Sequence, residues 1–133
     1  MGTATCDVGD YDQTINVVAS DEVLMRLQDL GRTEDIKFSP DCRRLAIAGF
    51  MESKLLILDI EVVPSSNGIS VSMTDYIEIT SPNLNRPHGL TFLDNETLIV
   101  ANRRGEAPVF NIPSSGTGIK KFHINALLTI GCN

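Results

Sequence analysis

The sequence predicts an all-β protein made of two four-stranded antiparallel meanders, because one strand-rich pattern occurs twice. Residues 35–60 and 88–112 share the order apolar strand, polar turn, small-residue strand, polar turn and apolar strand. Three equivalent pairs lie 54, 53 and 52 residues apart: Phe38 and Phe92, Ala48 and Ala101, Asp59 and Asn111. A repeat of about 50 residues made of short strands is typical of the blades of a β-propeller.

Length, composition and charge restrict the class of function. The 133 residues are 42% hydrophobic and 21% charged, which supplies one folded core and argues against disorder. The net charge of −6 argues against a nucleic acid or an anionic membrane as partner. The basic residues that occur in pairs fall in or near predicted turns, where a solvated surface is expected: Arg43/Arg44, Arg103/Arg104 and Lys120/Lys121.

The sequence also predicts a cytoplasmic location. The first twenty residues contain no lysine or arginine, which argues against a secretory signal. No apolar run reaches the length of about 18 residues that a membrane-spanning helix needs. Cys6, Cys42 and Cys132 are widely spaced and fit neither a disulfide framework nor a zinc motif.

The segment before the repeat has two parts. Residues 1–13 are small, polar and acidic, and we expect a flexible lead-in. Residues 14–30 are predicted to supply strands of a preceding blade, beginning with a short strand over 14–19. Two interpretations of residues 20–30 stay open: Ser20 is a good helix N-cap, whereas the alternating apolar residues from Val23 favour a strand. The position relative to the repeat favours the strand.

The first blade is predicted over residues 34–80. Its strands are expected at residues 34–38, 45–49, 54–60 and 71–79. Ile36 and Phe38 alternate with polar residues and give the first strand one apolar face. The nearly continuous apolar run of the third strand indicates burial on both faces. The fourth strand is expected to bend near Thr74 and Asp75.

The second blade is predicted over residues 88–125, followed by a tail over 126–133. Its strands are expected at residues 89–93, 97–102, 108–112 and 119–124. A third blade would begin near position 141, which the chain does not reach. We therefore expect two blades plus a strand of a third, as part of a larger propeller.

The two repeats resemble six-bladed β-propellers of the gluconolactonase/senescence-marker and NHL-repeat type. The resemblance rests on "DIKFSPDCRRLAIAG" with "LLILDI" and on "RPHGLTFLDNETLIVANR" with "PVFNI", and it covers roughly residues 30–112. In the gluconolactonase-like group, acidic and Asn side chains hold a divalent metal on the ring axis. The resemblance implies that Glu34, His88 and Asn102 are the candidate ligand-binding and metal-binding residues, with calcium, zinc or manganese as the metal.

Each of these three residues also has a structural interpretation. His88 precedes Gly89 and could pack and hydrogen-bond where the blade begins. Asn102 could cap the turn that follows it, because Asn side chains satisfy local backbone groups. Glu34 could be an exposed residue at the start of its strand. The remaining metal ligand would come from blades outside this chain.

The sequence supports three classes of function. The first is a blade module that binds a small ligand or a protein partner at an axial pocket around Glu34, His88 and Asn102. The second is a metal-dependent lactone or ester hydrolase of the gluconolactonase type, and the third is a non-catalytic interaction scaffold. No nucleophile elbow, His-Glu-x-x-His, Walker or dinucleotide motif occurs. Two blades leave apolar faces open, so the expected partners are other blades, supplied by self-association or by a missing C-terminal part.

Overall fold

A computed structural model describes residues 2–7 and 14–131. In chain order the elements are β1 (Gly2–Asp7), β2 (Thr14–Ala19), α1 (Asp21–Asp29), β3 (Thr33–Phe38), β4 (Arg44–Gly49), β5 (Lys54–Ser65), β6 (Gly68–Thr80), β7 (Pro87–Phe92), β8 (Thr97–Asn102), β9 (Ala107–Asn111), β10 (Lys121–His123) and β11 (Leu128–Ile130). The predicted all-β class is confirmed. No helix in the described ranges is long and apolar enough to cross a bilayer.

The first sheet contains the predicted four-stranded meander, β3 to β6, and three further strands. Its order is β1-β2-β6-β5-β4-β3, and β10 pairs with the C-terminal end of β6. The ladder between β5 and β6 pairs Asp59 with Asp75 and Ile60 with Met73, so Thr74 is an extra residue in β6. This bulge bends the long β5–β6 hairpin at the predicted position. The half of the hairpin nearer its turn, called here the outer half, then pairs with β2.

The second sheet is antiparallel, with the order β11-β9-β8-β7. Its first three strands lie where the repeat places them, but the prediction for the fourth is wrong. The segment predicted as that strand forms β10, which runs parallel to β6 of the first sheet. The segment predicted as a tail supplies β11 beside β9. An ion pair between Lys120 and Asp75 and the packing of Phe122 against the core hold β10 on the first sheet.

The prediction of a strand over residues 20–30 is also wrong, because this segment forms α1. Ser20 accepts a hydrogen bond from Val23 N at 3.2 Å as the N-cap, and Asp21 and Glu22 occupy the first turn. Val23 and Leu30 are buried against the first sheet. The alternating apolar residues therefore lie on a helix that packs on a sheet.

The N-terminal strands belong to the first sheet and form no separate blade. β2 runs parallel to the outer half of β6, and β1 pairs antiparallel with β2. The predicted flexible lead-in is thus wrong for residues 2–7, while residues 8–13 lie outside the described ranges.

Two layers of apolar side chains hold these elements together. The first lies between the sheets, where Ala48 and Ile57 of the first sheet meet Leu98 and Phe110 of the second. The second lies on the other face of the first sheet and beneath α1; it is formed by Val23, Leu30, Leu45, Ile47, Leu56, Leu58, Ile60 and Tyr76, with Ala19 at its edge. The order of layers is therefore α1, first sheet, second sheet.

Candidate functional site at the start of β3 and β7

The three predicted site residues lie at one end of the two sheets, where β3 and β7 begin and β8 ends. Glu34 is in β3, His88 is in β7 and Asn102 is the last residue of β8. Asp35 connects β3 with β7, because its Oδ2 accepts a hydrogen bond from Leu90 N at 3.0 Å. This end of the molecule is therefore the candidate site.

Glu34 and His88 face each other across the two sheets. His88 Nδ1 lies 3.7 Å from Glu34 Oε2, and the imidazole side chain is 62% exposed whereas the carboxylate side chain is 13% exposed. Arg32 Nε lies 2.6 Å from the other carboxylate oxygen, Oε1. That oxygen is buried and accepts no hydrogen bond within the described residues. Glu34 is thus charge-compensated by Arg32.

Asn102 has its hydrogen bonds directed to the neighbouring loops. Its Oδ1 accepts from Asn85 N at 2.9 Å. Its Nδ2 donates to Asn83 O at 2.8 Å and to Glu106 O at 2.9 Å. The side chain therefore fixes the loop before β7 and the turn after β8, as its structural interpretation expects.

The donor set at this end does not fit a divalent metal. A metal needs free oxygen or imidazole donors that converge, but Glu34 is paired with a guanidinium and the Asn102 amide is occupied by backbone groups. No group of three or more His, Cys, Asp or Glu side chains that could hold a metal ion occurs among the described residues. We derive no metal-assisted step from these residues.

Asp35 is a site residue that the sequence reasoning missed. Its Oδ1 accepts from Ile36 N at 2.9 Å and from Lys37 Nζ at 2.8 Å, in addition to the bond from Leu90 N at Oδ2. Burial raises the pKa of this carboxyl group, but the hydrogen bonds and the Lys37 charge outweigh burial and lower the pKa overall. The alternation along β3 separates Asp35 from Ile36 and Phe38 but does not indicate that Asp35 faces the second sheet, because Ile36 and Phe38 are the exposed residues.

A pocket lined by arginines lies at the same end. It has a volume of about 560 Å³ and is lined by Arg32, Phe50, Asn85, Arg86, Arg103 and Arg104; we call it the arginine pocket. The guanidinium carbons of three arginines lie close to the centroid of the Phe50 ring: Arg32 at 4.7 Å, Arg103 at 5.6 Å and Arg86 at 5.7 Å. These distances are typical of cation–π contacts.

Backbone contacts fix two of these arginines. Arg86 has a φ of 51°, in the left-handed region that non-glycine residues rarely adopt. Arg86 N donates to Ser53 Oγ at 2.9 Å, and Arg86 O accepts from Arg103 N at 3.0 Å. The loop before β7 and the turn after β8 are therefore held together directly at the pocket.

The sequence could not indicate the arginine pocket, because its arginines come from three separate loops that only the sheet topology brings together. Arg103 and Arg104 were expected to be ordinary solvated residues of a turn.

Comparison with known proteins does not identify the chain. No protein-family model matches it, and no curated protein matches it significantly.

Proposed function

We propose that this chain is a binding module of the propeller-blade type, and that its second sheet binds another β-sheet through its outer face. The outer face is the side of the second sheet that points away from the first sheet. Its residues are Ile99, Ala101, Ala107, Val109, Leu128 and Ile130. The single observation that carries the proposal is that the corresponding face of the first sheet is completely buried by a sheet.

The correspondence follows from the repeat and from the strand registers. The offset of 53 relates Ala48 to Ala101, and the offset of 52 relates Ile57 to Val109. In the fourth strands, Ile77 pairs with Ile57 as Leu128 pairs with Val109. The complete set of equivalent positions is Ala46 and Ile99, Ala48 and Ala101, Leu55 and Ala107, Ile57 and Val109, Ile77 and Leu128, Ile79 and Ile130.

Burial differs between the two sets at five of the six equivalent positions, and Val109, which is 6% exposed, is the exception. The six residues of the first sheet are each 0% exposed, because the second sheet covers them. On the second sheet, Leu128 is 55% exposed and Ile130 is 50% exposed. Apolar side chains that remain accessible on a regular sheet face are typical of an interaction surface. The same stacking that buries the first set would bury the second.

The opposite end of the stack is closed by α1. The side of the first sheet that a preceding blade would cover holds Leu45, Leu58 and Tyr76, and these are buried beneath the helix. The edge of that side is accessible, where Ile36 and Phe38 in β3 are about half exposed. Stacking therefore continues most readily from the second sheet.

The proposed partner is the outer face of a second copy of this chain. Two copies can meet through the outer face with two-fold symmetry, since the same surface then serves both. A closed ring of three head-to-tail copies would additionally require α1 to leave the first sheet. We therefore favour pairing through the outer face over such a ring.

Leu128→Glu tests the proposal. Because Leu128 is half exposed, the substitution is expected to change the free energy of unfolding by no more than about 0.5 kcal/mol. It places a charge within the proposed contact, on the edge strand β11. We expect the solution mass of the native chain, measured by light scattering, to increase with concentration, and that of the variant to stay at the mass of one chain.

Val63→Glu is the matched control. Val63 is 45% exposed and lies in β5 of the first sheet, so it is not part of the outer face of the second sheet. As at Leu128, an exposed aliphatic side chain is replaced by a carboxylate. This control is expected to associate as the native chain does. The proposal fails if Leu128→Glu associates normally, or if both variants lose association to the same extent.

A second candidate function is the binding of a small ligand at the end where β3 and β7 begin. Glu34 and His88 remain the predicted ligand-binding residues there, and the adjacent arginine pocket favours this function. The location of this site at the ends of the strands leaves the outer face free, so the two functions are compatible.

A further inference from the structure

We propose that the arginine pocket binds a phosphate dianion, either as free phosphate or as the phosphate group of a small monoester. Guanidinium groups from Arg32, Arg86 and Arg103 surround one buried aromatic ring, and Arg104 lines the same pocket. The inference does not rest on the docking of another sheet, because one chain supplies every residue of the pocket.

The pocket concentrates positive charge in an acidic protein. The whole chain has a net charge of −6. Among residues 14–131, Arg32 forms an ion pair with Glu34, whereas Arg86, Arg103 and Arg104 form no ion pair. Glu34 offsets one of the four positive charges, so the pocket keeps a net positive charge that a dianion would neutralise.

Phe50 explains how the arginines are held together without an anion. Its ring is 5% exposed and lies beneath the guanidinium groups. Each cation is attracted to the face of the ring, but the ring carries no charge that would cancel the repulsion between the cations. A bound anion would remove that repulsion while the ring keeps the guanidinium groups in position.

The backbone adds preorganisation. Arg86 is held in the left-handed region by its bond to Ser53 Oγ, and its carbonyl oxygen binds Arg103 N. A non-glycine residue in this conformation costs free energy, and such residues cluster at functional sites. The two arginines therefore start from adjacent, fixed backbone positions, which lowers the entropy lost when a ligand binds.

A phosphate dianion matches these features better than a carboxylate does. Each guanidinium presents planar N–H donors that pair with two oxygens at once. A phosphate monoester has a charge of about −1.5 to −2 near pH 7 and three acceptor oxygens, so it can engage more than one arginine. A carboxylate has one charge and two oxygens, which a single arginine satisfies. The volume of about 560 Å³ leaves room for a small organic substituent.

Isothermal titration calorimetry with the native chain tests the proposal. The ligands are inorganic phosphate, glycerol phosphate, sulfate and acetate at matched ionic strength. We expect phosphate and sulfate to bind and acetate not to bind. Tighter binding of glycerol phosphate than of phosphate would identify a monoester as the ligand, and equal binding would identify the free anion.

Variants of the pocket make the test specific. Arg103→Ala is expected to weaken phosphate binding at least about tenfold, because a charge-assisted contact is lost. Arg103→Lys keeps the charge but loses the planar pair of donors, and is expected to restore binding only in part. Arg43→Ala, which removes an arginine from the turn after β3 at the opposite end of the sheets, is the matched control and is expected to bind as the native chain does.

Three results would overturn the proposal. They are the absence of phosphate binding at low ionic strength, equal binding of acetate, and equal weakening by Arg43→Ala and Arg103→Ala. Circular dichroism of each variant establishes that it is folded. If Arg103→Ala does not fold, Arg104→Ala gives the same comparison, because Arg104 lines the pocket and its side chain lies on the exposed turn.

Discussion

Asp35 connects β3 of the first sheet with β7 of the second sheet through a single carboxylate. One oxygen accepts Leu90 N of β7, while the other accepts Lys37 Nζ and the amide of Ile36 in its own strand. Without Asp35, the amide of Leu90 would lack this hydrogen-bond acceptor. A buried donor that is left unpaired lowers stability. The relative position of β3 and β7, and with it the candidate site, therefore depends on this side chain.

Asp35→Ala is expected to lower the free energy of unfolding by about 2 kcal/mol, because Leu90 N loses its acceptor. Asp35→Asn keeps an oxygen acceptor and is expected to cost less. Chemical denaturation at neutral pH measures both. Equal stability of Asp35→Ala and the native chain would contradict the assigned role.

The same carboxyl group predicts a pH dependence. Its pKa in the folded protein lies below the ordinary value of 3.8, so its contribution to stability is complete above that pH. The contribution is lost as the pH falls through the lowered pKa. The stability difference between the native chain and Asp35→Asn should therefore be constant from neutral pH to about pH 5 and decrease towards pH 3. A difference that does not change with pH would contradict this account.

At the scale of residues, the sequence could predict some positions and not others, for physical reasons. The bend expected near Thr74 and Asp75 is confirmed, because Thr74 is an extra residue in β6. Arg44 was expected to be solvated. Instead its guanidinium donates to Pro113 O at 2.6 Å and Ser115 Oγ at 2.9 Å, contacts made by residues about 70 positions away that local patterns do not reveal.

At the scale of elements, α1 acts as a lid on the first sheet. It covers the apolar side of the first sheet that faces away from the second sheet, and Tyr76 Oη donates to Glu22 Oε1 of the helix at 2.9 Å. A helix of nine residues is marginal without packing and capping. Its stability and its contact with the sheet therefore support each other.

Ser20→Ala is expected to lower the free energy of unfolding by about 1 kcal/mol, because Val23 N loses its capping acceptor. Ser20→Asp restores an acceptor and adds a negative charge at the helix N-terminus, so it should retain native stability. Thermal unfolding compares the two. Loss of stability in both variants to the same degree would show that the hydroxyl group has another role.

The elements also separate what local patterns predict from what they do not. Strand β8 lies at the predicted residues 97–102 because alternation, turn residues and the repeat agree. Helix α1 was missed because Val23, Met25 and Leu27 alternate as in a strand, although Ser20, Asp21 and Glu22 carried the helix signal. The segment of β10 was predicted as a strand of the second sheet and that of β11 as a tail. Both predictions were wrong because pairing between distant residues decides which sheet each segment joins.

At the scale of the whole molecule, the stack has one closed side and one open side. The layers run from α1 through the first sheet to the second sheet, and repeated positions keep the same direction in both sheets. The repeat in the sequence could predict this translational stacking, since equivalent residues occupy equivalent strand positions. It could not predict that α1 would close one side, because the helix lies outside the repeat.

Methyl NMR of the native chain at increasing concentration tests the central claim most directly, because it locates the surface that makes contact. We predict that the methyl signals of Ile99, Val109, Leu128 and Ile130 broaden or shift as the concentration rises, while those of Ile47, beneath α1, do not. Unchanged signals from the outer face at every concentration, or changes confined to another surface, would contradict the claim that this face binds a further β-sheet.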